Sequence, residues 1–400
     1  MTLTPTRGPD VRVRRLTTTL YGYSFLEDFI LLYPVYALLF SDTGLSVWQI
    51  SSLFALWSLT GVLLEVPSGA WADAVSRRLL LRLGPLLTAA GFALWVLFPS
   101  YGAFAAGFVL WGIGGALGSG ALEALVYDEL ERLDAADRYA GIMGRARAAG
   151  LVAVMAAMGL AGPVFARGGH TAVGAASVLA CLLTAAVALR FPEHRSPAAG
   201  HDSWAGALRA GLAEARADRS VRGALLLVPA VGAVWGALDE YTPLLVRGTG
   251  VADGTVPYLL LLIWAGATAG SLLAGEGDRL GTRGLAALLA GAGIALAAGA
   301  IDGSPRGLVL VALAFGGFQA ATVLADARLQ RRIQDSGRAT LTSVAGLGTE
   351  LATVAVYGGY ALIASGHAHS TAFAVFAVPY LATTALLLLG RRAGTAEPRP

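Results

Sequence analysis

Long apolar runs, separated by short polar breaks, dominate this chain of 400 residues. A helix that crosses a bilayer needs about 20 mostly apolar residues. Runs of that order occur at 17–40, 48–70, 79–98, 101–127, 141–166, 171–191, 222–246, 255–275, 284–301, 307–329, 339–365 and 371–390, which makes twelve. The breaks are turn-forming or charged, as at Ser41-Asp42-Thr43-Gly44, Pro99-Ser100, Gly168-Gly169 and Gly303-Ser304-Pro305. The pattern predicts an all-α membrane protein. The longest polar stretch, 192–221, divides it into a six-helix bundle over 1–191 and a second over 222–400. Within that linker Trp204, Leu208, Leu212 and Ala215 fall at helical spacing. Such spacing fits a short amphipathic helix on the membrane surface, and it fits a solvated tether equally well.

Composition removes the soluble alternative. Hydrophobic residues make up 56% of the chain and charged residues 14%, against about a quarter charged in soluble domains. The mean hydropathy is +0.65. There is no lysine, so neither a phosphate-loop lysine nor a Schiff-base lysine is available. Cys181 is the only cysteine, and the five histidines are scattered apart from His367 and His369. No intrachain disulfide, metal site or cofactor is therefore expected. No complete G-x-S-x-G or H-E-x-x-H is present, which argues against an enzyme.

Arginine placement predicts orientation. With the N-terminus in the cytoplasm and strict alternation, 26 arginines fall on the cytoplasmic side. Only Arg167, Arg247 and Arg306 fall outside. This follows the positive-inside rule and predicts a multi-pass protein of the cytoplasmic membrane with both termini inside. The basic pI of about 9.1 is then a consequence of topology and not of nucleic-acid binding. Arg14-Arg15 reads as a positive anchor before the first helix and not as an export signal, because no cleavage site follows.

The two halves repeat. Gly44 to Gly69 spans 25 residues, as does Gly250 to Gly275. Asp73 follows the first pair and Asp278 the second, and Arg77 and Arg283 close the two loops. The first helix carries Glu27-Asp28 with Pro34 beyond, and the seventh carries Asp239-Glu240 with Pro243 beyond. Membrane proteins built from two such repeats bind substrate at the repeat interface near mid-membrane.

The loop after the second helix reads Gly69-Ala70-Trp71-Ala72-Asp73-Ala74-Val75-Ser76-Arg77-Arg78. It resembles the G-x-x-x-D-R-x-G-R-R/K signature of the major facilitator superfamily, with Ala74 and Ser76 in place of the usual arginine and glycine. The second copy, Asp278-Arg279-Leu280-Gly281-Thr282-Arg283, keeps those two. The strings Glu65-Val66-Pro67-Ser68-Gly69 and Glu123-Ala124-Leu125-Val126-Tyr127-Asp128 resemble those of bacterial efflux-type members. The resemblance implies twelve helices in two pseudo-symmetric six-helix bundles working by alternating access. It also implies that Gly69, Asp73, Arg77, Arg78, Asp278, Arg279, Gly281 and Arg283 form the gating loops. In the family the first aspartate meets the start of the eleventh helix, here about Ala339.

Candidate chemistry lies in the acids. No arginine lies in the middle third of a crossing, which argues against an anionic substrate, since an unpaired buried anion is prohibitive. Glu27, Asp28, Glu123, Asp239, Glu240, Asp326 and Glu350 do lie within crossings, where a carboxylate is a functional candidate by default. Asp28 shares a polar stripe with Thr17, Tyr21 and Ser24, and Asp239 shares one with Trp235 and Thr242. Asp28 and Asp239 are thus the first cavity candidates and Glu27 and Glu240 the second. Glu123, Glu350, Trp235 and Tyr241 complete the set for proton coupling and substrate. The reading is a monomeric, proton-coupled exporter of a small lipophilic neutral or cationic molecule. An uptake symporter or facilitator for a neutral metabolite is the alternative, and a membrane receptor or scaffold on the same fold is a third. Two departures bear on direction. Met158, Ala166 and Arg167 stand where drug/proton antiporters carry glycines around Gly162-Pro163, and Phe108 stands where they carry an arginine.

Overall fold

A computed structural model describes residues 9–192, 194, 219–274, 280–332 and 338–394. The described residues are helical, with no strand. They form two compact units. One is Met1–Thr43 with Leu56–Gly200, and the other is Gly44–Ala55 with His201–Pro400. The N-terminal part of the second predicted crossing thus belongs to the second unit, which the linear boundary at 192–221 does not reveal. The candidate amphipathic helix of the linker lies outside the described residues.

The first unit contains α1 (Pro9–Asp28), α2 (Tyr36–Asp42), the C-terminal part of α3 (Val47–Ala74), α4 (Arg77–Leu97), α5 (Tyr101–Gly118), α6 (Ala121–Arg132) and α7 (Tyr139–Ala188). α7 is two crossings folded at Gly168-Gly169, where Gly169 takes φ 57°, a left-handed value natural to glycine. Leu16, Leu20, Tyr23, Leu80, Leu125 and Phe191 share one core. A second core is aromatic, with Phe40, Trp95 and Phe108 at ring-centroid separations of 4.7–5.7 Å.

The second unit contains α8 (Arg219–Asp239), α9 (Thr242–Gly248), α10 (Val256–Leu273), α11 (Thr282–Asp302), α12 (Gly307–Arg332), α13 (Arg338–Ala364), α14 (His369–Val375) and α15 (Val378–Gly394). α10 lies directly on α12, because a Cβ on Gly266 or Gly270 would overlap the carbonyls of Ala312 and Gly316. The small-residue spacing at 266/270 is therefore a packing seam. The same spacing at Gly114/Gly118 behaves differently. Gly114 abuts Gly84 of α4, whereas nothing stands within 4 Å of a Cβ on Gly118.

Among the described residues, ten stretches are long and apolar enough to cross a membrane. One of them, Ala136–Ala188, holds two crossings, and the first crossing is split between α1 and α2, which gives the twelve. Leu63, Leu272, Ile301 and Leu386 are each at least 70% exposed, an inverted surface suited to lipid and not to water.

Four predicted spans are not continuous helices. The first breaks over Phe29–Val35, the fourth at Ser119-Gly120, the seventh at Glu240-Tyr241 and the twelfth at Phe376-Ala377. Pro34 lies in the first break, Pro243 is at the start of α9, and Pro379 is the second residue of α15. Proline lacks the N–H that continues a helix and starts a new one readily. Gly120 takes φ 72° in the fourth break.

Candidate functional site

The two acid pairs found in the sequence sit at helix interruptions. Asp28 ends α1 and Asp239 ends α8. The last turn of a helix leaves carbonyls without intrahelical partners and carries a partial negative charge. Each interruption thus sets carboxylates beside a helix C-terminus.

In the first unit the break is pinned from outside. The Leu32 N–H donates to Ser177 Oγ at 3.0 Å, and that hydroxyl donates to the Val173 carbonyl at 2.8 Å. Ser177 is fully buried, so its two bonds satisfy groups that water does not reach. Beside the break, the Tyr23 hydroxyl lies 3.4 Å from Glu27 Oε1 and 3.3 Å from the Leu81 carbonyl, two acceptors for its one proton. Glu27 lines a cavity of about 70 Å³ with Tyr23, Tyr33, Thr88, Trp111 and Cys181, and is itself exposed. The rings of Tyr33 and Trp111 stack there at 5.5 Å. Asp28, the first candidate by its stripe, does not line that cavity. It is half-buried, and its carboxylate stands against Gly150, where a Cβ would overlap it. Gly118, spaced for helix contact, instead lines the Glu27 cavity. Glu123 is half-buried in the first turn of α6, where the helix dipole favours a carboxylate.

In the second unit Asp239 and Glu240 are adjacent and half-buried. No described residue donates a hydrogen bond to either carboxylate. Trp235, one turn before Asp239, is held twice. Its indole Nε1–H donates to Thr322 Oγ1 at 3.1 Å and its backbone N–H to the Tyr380 hydroxyl at 2.8 Å. Tyr380 donates in turn to the Val231 carbonyl at 3.3 Å. Tyr241, immediately after the acids, is fully buried, with its hydroxyl 2.6 Å from Ser51 Oγ. Its ring stacks on Tyr360 at 3.6 Å, and the Tyr360 hydroxyl lies 2.8 Å from His369 Nδ1. Glu350 is half-buried on α13.

The loop between α3 and α4, which the family resemblance implies is a gate, is described in part. Gly69 and Asp73 lie in the last turns of α3, with their side chains outside the described set, as is that of Ala339. Ser76 caps α4 by accepting the Leu79 N–H at 3.1 Å. Arg77 Nη1 pairs with Asp128 Oδ2 at 2.5 Å, and Arg78 Nη1 donates to the Phe191 carbonyl at 3.5 Å. In the second copy Asp278 and Arg279 lie outside the described residues. Gly281 precedes α11 in an extended conformation and Arg283 is exposed.

Sequence reasoning missed Ser177, Tyr380, Thr322, Ser51 and Tyr360. Each is a hydroxyl residue in an apolar run, and its partner lies 87 to 190 residues away in the cases of Thr322, Ser177, Tyr380 and Ser51. No local spacing announces such a pair.

Solved structures share this fold. The nucleoside transporter NupG superposes with a TM-score of 0.75 at 14% identity, over 97% of this chain and 100% of that one. The POT family transporter PepTSo gives 0.72 at 12% identity, over 96% and 99%. A D-xylose-proton symporter gives 0.69 at 15% identity, over 94% and 97%. A comparison with curated proteins finds no match. The family model described as Major Facilitator Superfamily matches residues 19–355. With the repeated loops and the shared fold, this makes the chain a member of the major facilitator superfamily, a membrane transporter and not an enzyme.

Proposed function

We propose that this transporter is proton-coupled and exports a small lipophilic molecule, neutral or cationic. The observation that carries the reading is the pair Asp239 and Glu240. They sit at a helix C-terminus, and no described residue donates to their carboxylates. A carboxylate in a low-dielectric site either takes up a proton or holds a cation. The C-terminal ends of α1 and α8 add negative potential at both interruptions. In the deprotonated state the acids favour a cation or a hydrogen-bond donor, and protonation releases it. Asp28 and Glu27 serve the first half, Asp239 and Glu240 the second. Glu123 and Glu350 are secondary acids, and Trp235 and Tyr241 are the aromatic surfaces beside the second pair. Arginine counting places both termini in the cytoplasm, with the gating loops on that side. The protein works as a monomer.

The test is growth of an efflux-deficient bacterial host that expresses the protein, against a panel of toxic lipophilic cations, neutral compounds and anions. Export predicts protection against cations or neutral compounds and none against anions. Increased sensitivity to a compound would mean uptake, and protection confined to anions would overturn the substrate class.

A further inference from the structure

The arginine-rich end of the first unit holds an open pocket of about 690 Å³. Its lining includes Arg12 and Arg15 from α1, Arg78 from α4, Arg132 from α6, Arg190 after α7, and one acid, Glu129. The acid is already committed. Glu129 is 2% exposed and accepts from Arg132 Nη2 at 2.9 Å and from the His194 backbone N–H at 2.9 Å, with His194 Nδ1 at 2.7 Å. Arg78 is engaged with the Phe191 carbonyl. Arg12, Arg15 and Arg190 are exposed, and no carboxylate among the described residues pairs with them.

Three cations around one concavity repel one another, and a bound anion removes that repulsion. Guanidinium forks suit phosphate oxygens, which they bind in pairs. The rim favours one source of phosphate. Val11 and Leu189 line the same pocket and are 53% and 52% exposed. A phosphate ester that carries acyl chains satisfies both features, whereas a free phosphate leaves the apolar rim in water. Basic pockets between crossings are recognised by anionic lipid headgroups in this way.

We propose that Arg12, Arg15 and Arg190 form a binding site for the headgroup phosphate of an anionic phospholipid, with its chains against Val11 and Leu189. The site is separate from the acid pairs and does not depend on the direction or substrate of transport.

The experiment is native mass spectrometry of the full-length protein in mild detergent, titrated with phosphatidylglycerol or with phosphatidylcholine. Wild type should retain phosphatidylglycerol in preference to phosphatidylcholine. Each arginine near a membrane surface contributes roughly a fivefold factor in affinity, so Arg12→Gln/Arg15→Gln/Arg190→Gln should weaken retention on the order of a hundredfold. Lysine at the same three positions should restore most of it, which keeps the test valid if the glutamine variant is poorly folded. Arg167→Gln, a cation on an unrelated loop, should behave as wild type. Equal retention by wild type and the glutamine variant, or equal retention of the two lipids, would overturn the site. Displacement of the lipid from wild type by equimolar inorganic phosphate would show a soluble-anion site and overturn the lipid assignment.

Discussion

The Tyr380 hydroxyl accepts the backbone N–H of Trp235 at 2.8 Å, inside the first helix of the second half. It also donates to Val231, the carbonyl that the Trp235 N–H faces in a regular turn. A side chain from the last crossing therefore bridges the i→i−4 pair one turn before Asp239. This ties the last crossing to α8 one turn before the end that carries the acids. Tyr380→Phe leaves the bridge without its polar atom. The loss of such a buried bond costs roughly 1–3 kcal/mol. Thermal unfolding in detergent should show a clear drop, and an unchanged midpoint would mean that the turn closes on itself.

The first half uses another device for the same purpose. Ser177 accepts the Leu32 N–H within the α1–α2 break. Ser177→Ala removes that acceptor at a fully buried position, with a penalty of about 1–3 kcal/mol. Because the break adjoins Glu27 and Asp28, the same variant should lower transport at temperatures where it remains folded. Wild-type stability and transport together would show that the break holds its shape without Ser177.

These two contacts mark where the sequence stops being informative. The twelve crossings and the Gly168-Gly169 fold could be read directly, because apolar length and paired glycines are local signals. The acid pairs stood out because a carboxylate in an apolar run is costly. The breaks beside them were signalled only by Pro34 and Pro243. Phe29 to Leu32 are apolar and read as helix, so the first span looked continuous. The pins Ser177 and Tyr380 lie 145 residues from their partners. The order of the first acid pair was also hidden. The polar stripe puts Asp28 ahead of Glu27, while a small pocket of about 70 Å³ is lined by Glu27 and the Asp28 carboxylate faces Gly150. Gly118 shows the same limit, since helical spacing identifies a face of the helix but not whether a neighbour or a cavity lies opposite.

The Arg77–Asp128 pair joins the start of α4 to α6, with both side chains about a quarter to a third exposed. A partly exposed pair of this kind contributes only about 0.2–1 kcal/mol. A double-mutant cycle with Arg77→Gln and Asp128→Asn should therefore return a small coupling in unfolding. If the loop is a gate, transport should fall much more than stability does. Asp73→Asn should likewise remove most transport while the protein still inserts and purifies as wild type. Unchanged transport in all three variants would leave the loop as a topology signal alone.

Orientation has a direct check. Reporter fusions after residues 250 and 400 should report the outer and the cytoplasmic side respectively, following the split of the arginines. The opposite result at either point would refute it.

Proton coupling is tested at the acids themselves. Asp239→Asn and Glu240→Gln remove the ionisable group and keep the shape of the side chain. If these carboxylates exchange a proton for substrate, the doubly substituted protein should lose uphill transport driven by a pH gradient. Exchange of labelled for unlabelled substrate should weaken as well, because the neutral amides mimic the protonated acids that release substrate. Glu27→Gln should reduce coupled transport more than Asp28→Asn, since Glu27 lines the cavity with Tyr23 while Asp28 is half-buried against Gly150. The wild-type rate should rise as the outside is acidified relative to the cytoplasm, and the Asp239→Asn/Glu240→Gln protein should show no such response. Transport assays in proteoliposomes with an imposed pH gradient measure all of these quantities. A quadruple substitution that still responds to the gradient as wild type would remove these helices from the coupling path and move the search to Glu123, Asp326 and Glu350.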